Sequence, residues 1–203
     1  MIIIGLTGPS GSGKTTLCDI AKDMGIESID ADKVYHALLI PPSPCLDEIA
    51  EAFGDGVLAS DGTLDRAALG KIVFSDESGE KLTALNRITH KFVKAEFRRI
   101  IARLEAEGAR VVIVDAPTLF ESGFDEECTF TVAMLADGAL RRERIISRDS
   151  LSEERAELRL SAQKPDEFFI SRADYTLYND GDVAFLSEAL RNILIKNGGF
   201  DEN

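Results

Sequence analysis

Apolar residues follow two rhythms along this chain. Short runs rich in apolar and β-branched residues occupy positions 2–6, 26–29, 111–114 and 129–135, with a weaker one at 175–178. Such runs read as core strands, and Val111-Val112-Ile113-Val114, apolar throughout, fits a strand covered on both faces. Elsewhere the period is helical. Positions 46–53, 66–74 and 80–107 follow it, and in the last of these Leu82, Leu85, Ile88, Phe92, Ile100, Ile101 and Leu104 form one stripe that reads as core packing. Strands alternating with helices predict an α/β fold with a parallel, doubly wound, five-stranded sheet. Ligands of such sheets bind at the carboxyl ends of the strands. The residues there are Thr7 and Gly8, Asp30 and Asp32, and Asp115.

The stretch from 32 to 108 carries few strand signals and is broken by Pro41-Pro42-Ser43-Pro44 and Gly54-Asp55-Gly56. It is too long for an ordinary crossover and reads as a helical insertion, a natural place for an acceptor pocket. The expected organisation is one domain over 1–203. Its core lies at 1–31, 109–138 and 170–196, the insertion at 32–108, and a helical lid at 139–169. Residues 197–203, with two glycines, are expected to fray.

Composition narrows the partners. Of 203 residues 44% are hydrophobic, enough for a sizeable core. No apolar run approaches the roughly 20 residues of a membrane span. The first five residues carry no basic segment and read as strand rather than signal peptide. Cys18, Cys45 and Cys128 are scattered, without a C-x-x-C pair, as expected of reduced cytoplasmic thiols. The net charge of -13 argues against nucleic acid and anionic membranes, and no obligate protein partner is evident. It also sharpens any cluster of arginines, because an acidic protein that binds polyphosphate must gather its positive charge at the site.

Gly8-Pro9-Ser10-Gly11-Ser12-Gly13-Lys14-Thr15 supplies the reason for such a cluster. It matches G-x-x-x-x-G-K-S/T between a strand and a helix that includes Thr16. The glycines let backbone N–H groups converge on a phosphate, and the helix dipole favours its charge. Lys14 can reach the β- and γ-phosphates, and the Thr15 hydroxyl can ligate Mg²⁺. Asp115, closing the most apolar strand, stands where a second Mg²⁺ ligand is needed. Asp30 and Asp32 follow the second strand, and alternation sends both side chains the same way while the chain is extended. One can cap the helix beginning near Lys33 while the other accepts a proton from an alcohol, and Asp32 is favoured as the base. Arg141, Arg144 and Arg148 share one helical face, which is either solvated and paired to Glu143, Glu153 and Glu154, or a lid closing on phosphates. The lid is favoured. Ser152 looks like the cap of the next helix, on which Arg159 and Gln163 sit i, i+4.

Together these segments resemble the dephospho-CoA kinase family over nearly the whole chain. Asp30-Ala31-Asp32 matches the family's acidic pair. Residues 61–74 are similar to its D-G-x-L-D-R-x-x-L-x-x-x-V-F segment, and 85–90 to its L-x-x-I-x-H-P. Residues 115–121 look like D-x-P-L-L-F-E. Arg144 through Arg148, Arg159 to Gln163, Arg172-Ala173-Asp174 and Asn179 follow its lid and final strand. Lys91 stands where the pattern has Pro, Thr118 where it has Leu, and the P-loop departs from G-G-I-G-S-G-K-S. The resemblance implies a P-loop NTPase core with a helical CoA-binding insertion and a mobile lid, and ATP-dependent phosphorylation of the ribose 3′-hydroxyl of dephospho-CoA. It implies that Gly8, Gly11, Ser12, Gly13, Lys14, Thr15 and Thr16 hold ATP with Mg²⁺, and that Thr15 and Asp115 serve the metal. Asp32 would activate the hydroxyl, Arg144 and Arg148 would approach the phosphates, and His90, Phe120 and Glu121 would contact the acceptor.

The nearest rival is another P-loop kinase of nucleosides or nucleotides, against which the 61–74 and 85–90 segments argue. A GTP-dependent switch is disfavoured, because Asp115 is not followed by the D-x-x-G it needs. The placement of Lys14 gives a direct test. Lys14→Ala should abolish turnover, at a cost of several kcal/mol in the transition state, while the protein stays folded. Wild-type phosphate transfer by a folded Lys14→Ala protein would remove the P-loop from the chemistry.

Overall fold

The computed structural model describes residues 1–201. Five strands form one parallel sheet: β1 (Ile2–Thr7), β2 (Glu27–Asp30), β3 (Val111–Asp115), β4 (Phe130–Leu135) and β5 (Tyr175–Tyr178), in the order β2-β3-β1-β4-β5. The helices are α1 (Lys14–Asp23), α2 (Ala31–Ala37), α3 (Pro44–Phe53), α4 (Arg66–Phe74), α5 (Glu80–Ala106), α6 (Leu119–Ser122), α7 (Gly138–Asp149), α8 (Glu153–Ser161), α9 (Asp166–Ile170) and α10 (Val183–Lys196). The chain divides into two compact units, one of residues 1–29 with those from 103 onward, the other of residues 30–102.

In the first unit β1 lies between β3 and β4, with Leu6 opposite Asp115 and Thr7 opposite Ala133. Leu135 lies opposite Tyr178. This register brings the carboxyl ends of β1, β3, β4 and β5 out along one edge. The Ala116 N–H to Leu6 carbonyl (2.9 Å) and Asn179 N–H to Leu135 carbonyl (2.8 Å) bonds carry the ladder past the strands. Val112, Ile113 and Val114 are fully buried, as their continuous apolar run requires. Ile4, Leu6, Ile113, Val132 and Met134 share a core with Leu17 and Ile20 of α1 and with Leu186, Leu190 and Leu194 of α10. Each such side chain contributes about 1.5–3 kcal/mol on burial. The Asp174 carboxylate ties the start of β5 to β4, accepting from the Thr131 N–H and hydroxyl, each at 2.8 Å.

The second unit has its own core, including Leu39, Cys45, Ile49, Val57, Leu69, Val73 and Ile88. Here the D-G-x-L-D-R segment is a folding device. Asp61 Oδ1 accepts from the Thr63 N–H at 3.0 Å and its hydroxyl at 2.6 Å, and Asp65 caps α4 through the Ala68 N–H at 2.9 Å. Lys91 pairs with Glu48 and lies over the Phe92 ring. Burial pushes the Cys45 thiol up to about 11, and that of Cys128 in the first unit up to about 12.

Three expectations change. Pro44 opens α3 instead of breaking the chain. A first-turn proline loses an N–H that had no helical partner, and the Ser43 hydroxyl caps the Leu46 N–H. On α5, Leu82 is 39% exposed, whereas Phe97, outside the expected stripe, is 2% exposed. The segment after α10 is docked as far as Phe200, whose ring packs on the first unit's core. Gly199 N–H bonds the Leu194 carbonyl at 2.8 Å and Asn197 Nδ2 the Tyr175 hydroxyl at 3.0 Å. One apolar anchor outweighs the paired glycines; the last two residues lie outside the described part.

Gly5 in β1 shows how tightly this unit is packed. A Cβ there would lie 2.7 Å from Leu119 Cδ2 and 2.8 Å from Cys128 Sγ. Gly5→Ala should lower stability by about 1–3 kcal/mol, read as a drop in Tm. A Tm equal to that of the wild type would show that these neighbours yield freely.

Candidate active site

The turn between β1 and α1 is shaped by what its neighbours forbid. Gly13 precedes α1 at φ 96°, and a Cβ there would lie 1.7 Å from Asn179 Nδ2. Gly8 has φ 136°, and a Cβ would lie 2.1 Å from the Met134 carbonyl oxygen. Only glycine satisfies both the backbone and the space. Lys14 folds back over the loop, donating from Nζ to the Gly8 carbonyl at 2.8 Å. Thr15 is exposed and Thr16 half-buried in the first turn of α1, which holds no acidic residue. The positive end of that helix dipole therefore faces the loop uncompensated by a carboxylate of its own turn. The Ser12 hydroxyl is buried without a hydrogen-bond partner among the described residues. Asp115, half-buried, ends β3 directly opposite Leu6.

The three arginines of α7 all turn to this loop. Arg141, 8% exposed, donates from Nε to the Ser10 carbonyl at 3.3 Å. Arg144 donates from Nη1 to the Gly11 carbonyl at 3.2 Å and from Nη2 to the Asn179 carbonyl at 3.1 Å. Arg148 Nη2 reaches the Ser10 hydroxyl at 3.2 Å. The acids that pair with them are Asp166, 3.2 Å from Arg141, and Asp149, 2.8 Å from Arg148. They are not the glutamates that the sequence made available. The hydrogen bond from Arg148 holds the Asp149 carboxyl below the usual range, and Arg159 at 2.5 Å adds to this. Arg144 meets only neutral oxygens among the described residues.

Gln163 lies beyond the end of α8. Its Oε1 accepts both the Ser10 N–H (2.8 Å) and Arg141 Nη2 (3.0 Å), and its Nε2 donates to the Arg159 carbonyl at 3.0 Å. Ser152 caps α8 as expected, accepting from the Arg155 N–H. Of the acceptor candidates in this unit, Phe120 is half-buried in α6, its ring edge-on to Phe168 at 6.1 Å, and Glu121 is exposed.

Asp32 and His90 belong to the second unit. The strand ends with Asp30 and the chain turns into helix at Ala31, so the alternation expected to aim Asp30 and Asp32 alike does not apply. Asp30 caps α2 through the Lys33 N–H at 3.0 Å, and Asp32, exposed, sits in that helix's first turn. His90 is half-buried on α5. Sequence reasoning passed over Ser10, Asp149 and Asp166 and gave Asn179 no role of its own. Asn179, only 4% exposed and directly after β5, both covers Gly13 and receives Arg144. A polar residue at the carboxyl end of a strand was the available signal.

This geometry agrees with what the chain is similar to. The family model described as dephospho-CoA kinase matches residues 2–184. A dephospho-CoA kinase of Symbiobacterium thermophilum is 39% identical over 90% of this chain and 76% of its own length. One of Corynebacterium glutamicum is 38% identical over 90% of each. Among solved structures, dephospho-CoA kinase from Campylobacter jejuni superposes with a TM-score of 0.67 at 29% identity, over 97% of this chain and 98% of that one. A shikimate kinase from Bacteroides thetaiotaomicron shares the fold alone, with a TM-score of 0.51 at 18% identity over 95% and 98%. The chain belongs to the dephospho-CoA kinase family.

Proposed function

We propose that this chain transfers the γ-phosphoryl group of ATP to the ribose 3′-hydroxyl of dephospho-CoA, giving coenzyme A and ADP, and that it does so in the cytoplasm. The observation that carries the reading is a P-loop faced by three arginines within a family match spanning residues 2–184.

The backbone from Gly8 to Gly13, with Lys14, Thr15 and Thr16, holds the phosphates of ATP. The orphaned Ser12 hydroxyl and the acid-free first turn of α1 fit an anion there. The Thr15 hydroxyl and the Asp115 carboxylate are hard oxygen donors suited to Mg²⁺. Bound there, Mg²⁺ supplies charge neutralisation at the phosphates.

In the transfer the bond from the 3′-oxygen to the γ-phosphorus forms as the bond from that phosphorus to the β–γ bridging oxygen breaks. The hydroxyl proton passes to Asp32, whose neighbour Asp30 is occupied as a cap. Lys14, Arg144 and Arg148 stabilise charge on the transferring group. His90, Phe120 and Glu121 contact the acceptor.

Asp30 caps α2 and Asp32 is exposed, so the Asp32→Asn exchange leaves the cap in place and separates catalysis from folding. It should lower kcat by roughly 10²–10⁴-fold with an unchanged Tm. Asp30→Asn should hurt less. A folded Asp32→Asn enzyme with most of its kcat would take Asp32 out of the mechanism.

A further inference from the structure

Ser10 stands at the crest of the P-loop, and each of its polar atoms meets a different side chain from the 139–169 segment. Its N–H donates to Gln163 Oε1 at 2.8 Å, its carbonyl accepts from Arg141 Nε at 3.3 Å, and its hydroxyl accepts from Arg148 Nη2 at 3.2 Å. The first two bonds use main-chain atoms that any residue but proline would supply. The third needs a hydroxyl, which this chain carries where the pattern it resembles has an apolar residue.

That third bond fixes the more exposed of the two arginines assigned to the phosphates. The Arg148 side chain is 55% exposed, and an exposed arginine samples many rotamers unless it is anchored. One anchor is Asp149, bonded to Nε at 2.8 Å and Nη2 at 2.9 Å; it belongs to the same helix and cannot by itself aim the guanidinium at the loop. Ser10 anchors it on the loop itself. A guanidinium carries five N–H donors, so Arg148 can keep Ser10 and still turn donors to a phosphate. We propose that Ser10 is a positioning residue for phosphoryl transfer, whose hydroxyl sets Arg148 over the P-loop before the triphosphate is bound. This rests on the reading of Arg148 as a phosphate ligand.

Steady-state kinetics and melting curves of Ser10→Ala, Ser10→Thr, Arg148→Ala and the Ser10→Ala/Arg148→Ala double variant test it. Ser10→Ala keeps both main-chain bonds. It should lower kcat/KM for ATP about 3- to 10-fold, the effect of one ordinary, partly solvated hydrogen bond, without moving Tm. Ser10→Thr, which restores the hydroxyl, should recover most of the loss. Arg148→Ala should lose more, and on that background Ser10→Ala should cost nothing further, because the hydroxyl acts through the arginine. Wild-type kinetics for Ser10→Ala beside an impaired Arg148→Ala would overturn the proposal alone. The same loss on both backgrounds would also overturn it. Wild-type kinetics for Arg148→Ala would overturn the phosphate role of Arg148 and this proposal with it.

Discussion

A cradle made of backbone amides must be held in shape from outside, because its own side chains are nearly absent. In this protein the holding is done by close approach. The β4 main chain at Met134 and the amide of Asn179 occupy the space where Cβ atoms of Gly8 and Gly13 would be. The glycines are therefore the complement of a sheet edge, as well as a means of bending the chain. This explains why register matters so much. Pairing Thr7 with Ala133 and Leu135 with Tyr178 sets Met134 and Asn179 against the loop, and a slip of one residue would turn every side chain to the other face.

The same loop gathers positive charge in a protein of net charge -13. Three arginines on one face of α7 would repel one another if left bare. Arg141 and Arg148 are paired with Asp166 and Asp149, while each keeps a donor on the loop. Asp149 also binds Arg159, and its hydrogen bond from Arg148 holds its carboxyl below the usual range. The acids of this region thus spread the charge and fix its direction without removing it from the loop.

Much of this was legible because the signals are local. The glycine-rich turn, the apolar run ending in Asp115 and the i, i+3, i+7 arginines each carry their geometry in a few neighbouring residues. α4 begins at Arg66 and ends at Phe74 as its periodicity indicated. What escaped is what depends on distant partners. Nothing local says that the amide of Asn179 covers a glycine of the P-loop, or that Gln163 caps the Ser10 N–H. Nor does a glycine-paired tail announce that one phenylalanine will dock it. The acidic pair is a mixed case. Capping by one member was foreseeable from residue type, but the change from strand to helix at Ala31 set which one, and that change overrode alternation.

The contrast among the arginines gives them unequal parts. Two unit charges 4 Å apart interact by about 4 kcal/mol at an effective dielectric of ~20, so a carboxylate beside an arginine offsets much of its pull on a phosphate. Arg141 is nearly buried and paired, which makes it a fixture of the loop. Arg148 is exposed, and it is held by Asp149 and Ser10. Among the described residues Arg144 meets carbonyl and amide oxygens only, of Gly11 and Asn179, and neutral acceptors orient a guanidinium without cancelling its charge. It is held from both sides of the cradle, by the loop and by the end of the last strand. Of the three, Arg144 therefore combines the fullest charge with a fixed position. That pair of properties is what stabilising a transferring phosphoryl group demands, since a charge that must first be oriented or stripped of its partner loses part of its effect to that reorganisation.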